Sequence, residues 1–166
     1  MSFALIDNLN QLARRDDRAA LAALRRGLSP DSVAAAYPYV VPFLPSDAKP
    51  FEERAYVLAA ALFGTHPVAA ARSLATALRT VQERRPGSDS LEARFVALLD
   101  AHIDDLPTHL RHAISLLKAH ELGLDWNNLL ETLLHWEHEA RWVQRQWARD
   151  FWGVQNTATS TKEPTK

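Results

Sequence analysis

Arginine is the residue type in this sequence whose chemistry and spacing are most informative. It heavily outnumbers lysine among the 19 basic residues, and 20 acidic residues bring the formal net charge to −1. A guanidinium group stays charged, and its planar fork of N–H donors matches the oxygens of a phosphate. Arginines repeated along one helix face therefore predict contacts with nucleic acid, although a GC-rich genome also produces an Ala- and Arg-rich composition.

The first arginine group lies within residues 14–26. On one unbroken helix, a step of about 100° per residue would place its five arginines within an arc of about 120°. These residues are Arg14, Arg15, Arg18, Arg25 and Arg26. The pattern predicts an amphipathic helix with an arginine outer face and leucines on another side. The alternative is an ordinary solvated face, in which the last two arginines only offset the helix dipole.

Two more arginine stripes are predicted further along the chain. Arg72 and Arg79 are seven residues apart, so a helix that begins near Pro67 would place them almost in line and facing outward. In the last predicted helix, arginines step by four beside an apolar seam. They are Arg141, Arg145 and Arg149.

The five tryptophans divide into two classes by spacing. Trp126, Trp136 and Trp147 follow the apolar seam of the last predicted helix, so we expect them in the core. Trp142 and Trp152 lie nearer the arginine stripe, where an indole could contact a base or a partner subunit, or be partly buried in the ordinary way.

Metal binding has one local candidate, a set of His and Glu side chains spaced by three and four near the C-terminus. The set comprises Glu131, His135, His138 and Glu139. It completes no H-E-x-x-H motif, and such pairs also stabilise ordinary helices. The carboxylates Asp100, Asp104 and Asp105 could hold Mg²⁺, but capping the turn before Pro107 explains them better. We therefore predict no cofactor.

Catalysis also lacks a motif. His109, His112 and His120 could act as acid–base groups, but the sequence has no G-x-S-x-G elbow and no glycine-rich phosphate loop. Cysteine is absent, which removes thiolate nucleophiles, thiolate metal sites and disulfides. The prediction is that the protein is not an enzyme.

Helices must position these residues, because alanine and leucine dominate, glycine is scarce and no stretch alternates like a strand. We predict an all-α fold, a compact helical bundle or bundles of about seven to nine helices. The predicted helices cover about 3–12, 16–26, 30–37, 51–63, 67–84, 89–101, 106–122 and 125–152. Asp89 with Glu92 resembles a capping box, and Asp125 is the predicted N-cap of the last helix. Its apolar seam comprises Trp126, Leu129, Leu133, Trp136, Ala140, Val143, Trp147 and Phe151.

The chain is predicted to form two helical subdomains, separated at Pro86-Gly87-Ser88. Residues 1–85 form the N-terminal one and include an irregular proline-rich connection at 37–50. Residues 88–153 form the C-terminal one, and the polar residues 154–166 are predicted to be disordered. No apolar run is long enough to span a membrane and no secretory signal is visible, so we expect a cytoplasmic protein with no membrane partner.

A series of short motifs also carries a resemblance to a known family. They are Leu24-Arg25-Arg26, the proline-rich Tyr37 to Pro45, Ala71-Arg72-Ser73-Leu74-Ala75, Glu92-Ala93-Arg94-Phe95, Leu106-Pro107-Thr108-His109-Leu110-Arg111, Asp125-Trp126 and Trp147-Ala148-Arg149-Asp150-Phe151-Trp152. In this order and spacing, the chain resembles the small-subunit (CasB) family of the type I-E CRISPR surveillance complex Cascade.

The resemblance implies an all-α, non-catalytic subunit that lies as a pair between the backbone and large subunits of Cascade. Its partners would be guide RNA, the target and non-target DNA strands, other Cascade subunits and a second copy of itself. Its role would be to stabilise the R-loop and the displaced strand in antiviral defence. The implied contact residues are Arg25, Arg26, Arg72, Arg94, Arg111 and the arginines of the final helix.

Two positions depart from the pattern of the CasB family, and alternatives remain open for two arginines and for the function. His102 and His112 stand where relatives often carry arginine or lysine, so we expect weaker contacts at these two positions. Arg94 and Arg111 could instead be interior ion-pair partners of nearby carboxylates. The rival function is a helical protein–protein adaptor whose arginines meet acidic partner surfaces, with no direct contact to nucleic acid.

Overall fold

The computed structural model describes residues 2–154, and within them the chain forms nine α-helices and no β-strand. The helices are α1 (Ala4–Arg14), α2 (Arg18–Arg25), α3 (Tyr37–Val40), α4 (Pro50–Thr65), α5 (Leu74–Arg84), α6 (Asp89–Leu99), α7 (Leu106–Ala119), α8 (Trp126–Leu134) and α9 (Trp142–Trp152). Three short 3₁₀ turns cover Arg26–Leu28, Val33–Ala36 and Val41–Phe43. The all-α prediction is confirmed.

Helix α4 is the central element of the core. Its second half is apolar on every side, and such a helix is stable only when neighbours cover all of its faces. Helices α1, α2, α3, α7 and α8 pack around it. Gly64 allows the close approach of α2, since an added Cβ there would lie 2.8 Å from the carbonyl oxygen of Leu21.

A second group of helices packs beside this centre. Helix α5 packs against α9 and α7, and α6 packs against α7 and α9. Helix α8 follows α7 in the chain but packs on α4. Buried residues on both sides of Pro86-Gly87-Ser88 belong to one hydrophobic cluster. The division of the chain into two subdomains at this point stays a prediction.

The predicted continuous helix over 125–152 is wrong, because residues 135–141 separate α8 from α9. Trp136 turns inward within this connection and its Nε1 donates to the Ala101 carbonyl at 3.1 Å. Buried Gln144 donates from Nε2 to the Trp136 carbonyl at 2.9 Å, and Arg141 adopts a left-handed backbone with φ 50°. These bonds hold a turn, so Ala140 lies exposed and is not part of the seam.

The predicted helix start near Pro67 is also wrong, because α5 begins at Leu74. Ser73 caps α5 by accepting the Thr76 N–H at 3.1 Å. The preceding segment instead runs beside residues 122–125. The Ala70 N–H donates to the Leu124 carbonyl at 3.0 Å, and the Trp126 Nε1 donates to the Val68 carbonyl at 3.0 Å. Tertiary hydrogen bonds therefore replace the expected first turns of the helix.

The predicted unbroken helix through residues 14–26 is wrong as well. Asp16 has a left-handed backbone with φ 49°, and Asp17 caps α2 by accepting the Ala20 N–H at 3.1 Å. Aspartate favours both conformations, since its short side chain bonds locally to the backbone. Arg14 therefore ends α1, and Arg25 lies at the end of a separate helix.

Several other helix boundaries also differ from the predicted ones. The helix expected over 30–37 is a 3₁₀ turn, and the proline-rich stretch contains the short helix α3. Ser88, not Asp89, is the N-cap of α6, and its side chain makes no capping bond. Asp125 is the N-cap of α8, as predicted.

Of the predicted tail, residues 155–166 lie outside the described residues. No helix of residues 2–154 combines the length and apolarity needed to cross a bilayer.

Candidate nucleic-acid interface

The nine predicted contact arginines differ in exposure. Arg72 and Arg79 are half-buried. The exposed ones are Arg25, Arg26, Arg94, Arg111, Arg141, Arg145 and Arg149. Three of the nine donate guanidinium hydrogen bonds to other described residues, namely Arg25, Arg79 and Arg141. Exposure and internal bonding together separate the arginines available to an outside partner from those engaged within the fold.

Arg79 is the most strongly engaged of the nine. Its Nε donates to Glu83 Oε1 at 3.1 Å, its Nη1 donates to the Gly153 carbonyl, and 23% of its side chain is exposed. The guanidinium thus ties α5 to the end of α9. Two of its five N–H donors are used within the fold.

Arg72 does not share a helix face with Arg79, so the predicted stripe of these two residues is wrong. It precedes the N-cap of α5, and its carbonyl accepts the Asp125 N–H at 2.7 Å. Its backbone belongs to segment 67–73, which is hydrogen-bonded to the neighbouring segment 122–125. The role of the Arg72 side chain as a contact stays a prediction.

Arg25 and Arg26 lie at the junction of α2 and the following 3₁₀ turn. The Nη1 of Arg25 donates to the Gly64 carbonyl at 3.3 Å, at the C-terminal end of α4. This bond uses one donor of an otherwise exposed side chain. The two arginines remain an exposed basic pair, separated along the chain from Arg14 and Arg15 by the helix break.

Arg94 and Arg111 lie on α6 and α7, which pack against each other. Both side chains are exposed, and the ion pairs formed among residues 2–154 involve neither of them. The alternative in which they are interior ion-pair partners is therefore wrong. Lys118, seven residues after Arg111 and also exposed, was absent from the predicted set. Its spacing is the signal that places it on the same face of α7.

The arginine stripe of the final helix consists of Arg145 and Arg149. Both are exposed and lie opposite the buried Val143, Trp147 and Phe151 of α9. Arg141 precedes the helix, and its Nη2 donates to the Leu99 carbonyl at 2.8 Å. Helix α9 packs on α5 and α6, so this outer face is held on a rigid element.

The structure sorts these residues by the helices that carry them. Arg25 and Arg26 are on elements that pack against α4. A second set of arginines lies on α6, α7 and α9, and these helices are linked because α6 packs against the other two. The arginines of this set are Arg94, Arg111, Arg145 and Arg149. Nucleic-acid contact by any of these residues stays a prediction.

The predicted core tryptophans are confirmed, with Trp126, Trp136 and Trp147 at most 3% exposed. Trp142 is half-buried and packs on His135, with ring centroids 5.3 Å apart. Trp152 is 44% exposed.

The Glu and His side chains considered as metal ligands do not share one helix face, because α8 ends at Leu134. His135 and His138 instead make local backbone hydrogen bonds in the turn. Among residues 2–154, no three His, Cys, Asp or Glu side chains group closely enough to hold a metal ion. These histidines contribute to the connection between α8 and α9.

Comparison with known proteins places this arrangement in a family. Residues 20–152 match the family model for CRISPR-associated protein Cse2. The chain is 42% identical over 143 residues to the CRISPR-associated protein Cse2 of Thermus thermophilus, covering 82% of this chain and 80% of that one.

Solved structures show the same fold. The crystal structure of CasB from Thermus thermophilus superposes with a TM-score of 0.78 at 37% identity, covering 90% of this chain and 96% of that one. A chain of a CRISPR RNA-guided surveillance complex superposes with a TM-score of 0.71 at 27% identity, covering 89% and 88%. The predicted resemblance to CasB is confirmed, and the chain belongs to the CRISPR-associated Cse2 family.

Proposed function

We propose that this protein is a non-catalytic nucleic-acid-binding subunit of the CRISPR surveillance complex Cascade, and that it acts in the cytoplasm in antiviral defence. Its partners are guide RNA, the target and non-target DNA strands, other Cascade subunits and a second copy of itself. The superposition on a chain of an RNA-guided surveillance complex supports the assembly. The observation that carries the nucleic-acid role is the set of four exposed arginines on α6, α7 and α9 that form no ion pair within residues 2–154.

These arginines suit a contact with phosphates. A guanidinium that is paired inside a protein has fewer donors left for a phosphate, whereas an exposed and unpaired one has all of its donors available. Arg145 and Arg149 project from the outer face of a helix whose other side is buried. Their contacts would go to the sugar–phosphate backbone, so binding would tolerate any base sequence.

The physical role is to stabilise an R-loop. Its formation exchanges one duplex for another of similar stability, so a few protein contacts to the strands shift the balance. Because the net charge is −1, we expect the isolated chain to bind weakly. Neighbouring subunits in the assembly would raise the effective concentration of the strand beside the arginines.

The test is a salt series on paired variants with equal charge. Labelled single-stranded DNA is titrated with wild-type protein, with R145A/R149A, and with R15A/R85A, which removes two exposed arginines outside the proposed set. The slope of log K against log salt should fall by about 0.7 for each phosphate that R145A/R149A no longer binds, and it should stay unchanged in the control. Equal reductions in the two variants would show that only net charge matters and would refute the assignment.

A protein–protein adaptor is the second candidate, and one observation favours it. An open apolar groove of about 750 Å³ lies between α4, the start of α7 and the end of α8. Tyr37 and Phe51 line it and are 37% and 41% exposed. Under this function, in which arginines meet acidic partner surfaces, both Y37S/F51S and R145A/R149A would leave the assembled complex. Under the nucleic-acid function, R145A/R149A would remain in the complex and bind single strands more weakly. Pull-down with the other subunits separates the two functions.

A further inference from the structure

Trp152 is an exposed aromatic side chain that is nevertheless held in place. It is 44% exposed, yet its ring meets Phe95 and Phe151 edge-to-face, with centroids 5.2 and 5.0 Å apart. Its Nε1 donates to Glu92 Oε1 at 2.9 Å. The ring is therefore fixed by α6 and by its own helix, and its polar N–H already has a partner. An exposed ring that is ordered in advance loses little conformational freedom when a planar ligand stacks on it.

Two arginines share the helix face of Trp152. Arg149 and Arg145 precede it by three and seven residues, so on α9 they lie about 60° and about 20° away around the helix axis. The one carboxylate of this helix, Asp150, accepts hydrogen bonds from Ser73 and Gln146. It is occupied by these partners and forms no ion pair with either arginine.

An aromatic ring flanked by cations is the arrangement that holds single-stranded nucleic acid, since the ring stacks on a base while the cations bind the phosphates on either side. We propose that Trp152 forms a stacking site for an unpaired nucleobase, with Arg145 and Arg149 holding the adjoining phosphates. This inference rests on the proposed nucleic-acid function and adds the form of the ligand. A base that stacks on the ring needs one face free of neighbouring bases, and a duplex offers such faces only at its terminal base pairs, so the site would select single strands over a blunt duplex.

Tryptophan fluorescence reports on this site directly. Three of the other tryptophans are buried and Trp142 is half-buried, so a base stacked on Trp152 would quench chiefly that indole. Wild-type protein, W152F, W152L and the control W142F are titrated with oligo(dT) and with a blunt DNA duplex. Binding is followed in parallel by the anisotropy of labelled oligo(dT). Each variant is checked for unchanged circular dichroism, because Trp152 contacts Phe95.

We expect oligo(dT) to quench wild type and W142F, and the quenching to disappear in W152F. W152F keeps an aromatic face and should bind almost as wild type, whereas W152L should bind about 5- to 150-fold more weakly. The salt slope of W152L should be unchanged, because its arginines remain. The E92Q variant keeps an acceptor for Nε1 and removes a charge, so it should bind at least as tightly as wild type.

Two results would overturn the stacking site and leave the proposed function standing: persistent quenching in W152F, or wild-type affinity in W152L while R145A/R149A still weakens binding. A wild-type protein that binds no single strand, either alone or within the assembled complex, would overturn the proposed function and this site together.

Discussion

The hydroxyl group of Ser73 joins the start of α5 to α9, because it accepts the Thr76 N–H at 3.1 Å and donates to Asp150 Oδ2 at 2.7 Å. One side chain therefore caps a helix and fixes the helix that carries Arg145 and Arg149. A substitution at Ser73 removes both hydrogen bonds, and Asp150 then has one donor fewer.

We expect S73A to lower the free energy of unfolding by about 0.5–2 kcal/mol, the usual range for removal of an N-cap. Urea denaturation followed by circular dichroism measures this change. The control is S115A, at an exposed position within α7, which should leave the unfolding midpoint unchanged or slightly higher. A wild-type midpoint for S73A would mean that the cap contributes nothing.

Arg79 is expected to act on stability and not on nucleic-acid binding. R79A removes the bonds from α5 to the Gly153 carbonyl and to Glu83, so the free energy of unfolding should fall by about 1 kcal/mol. The salt slope of single-strand binding should stay at the wild-type value, since Arg79 contacts no phosphate in this proposal. R145A should leave the free energy of unfolding unchanged and should reduce the salt slope. A reduced salt slope in a folded R79A protein would contradict this division.

Arg25 and Arg26 provide a test of sequence tolerance. R25A/R26A should weaken single-strand binding by a similar factor for unrelated base sequences, because phosphate contacts carry no sequence information. The R25K/R26K variant keeps both charges and should recover most of the affinity. Parallel titrations with two oligonucleotides of different composition measure both effects. A weakening confined to one oligonucleotide would point to base recognition instead.

Tyr56 predicts how stability depends on alkaline pH. Burial, and then the negative charge of Glu52, raise the pKa of its phenol above the usual 10.0. Above pH 10 the unfolded chain loses this proton while the folded chain keeps it. The unfolded state then binds fewer protons, so the free energy of unfolding falls as pH rises from 10 towards the raised pKa.

The Y56F variant has no proton to lose at this position, so its unfolding midpoint should decline less than that of wild type between about pH 9 and about pH 11. At lower pH the difference between the two proteins should be constant. Y37F, at an exposed tyrosine, is the control and should follow wild type throughout. Parallel curves for wild type and Y56F across the alkaline range would refute the coupling.

Local signals in the sequence were sufficient to predict part of the fold and of the core. The all-α architecture followed from composition and spacing, and Trp126 and Trp147 are buried on helix faces as their spacing predicted. Trp136 is buried as well, although it lies in the connection between α8 and α9. The N-cap at Asp125 was predicted correctly, because a cap depends on atoms three residues away in the chain. Family membership followed from the order of short motifs, which needs no coordinates.

The sequence alone determined which stretches have the composition and spacing of helices and which arginines are candidates for phosphate contacts. Tertiary structure decided where those helices stop, because bonds between distant residues outweigh local propensity. Examples are Trp126 Nε1 to the Val68 carbonyl and Trp136 Nε1 to the Ala101 carbonyl. It also decided that Arg79 is held by the Gly153 carbonyl while Arg145 faces outward. Spacing could not distinguish these two arginines, since an internal acceptor for a guanidinium is supplied by a segment far away in the chain.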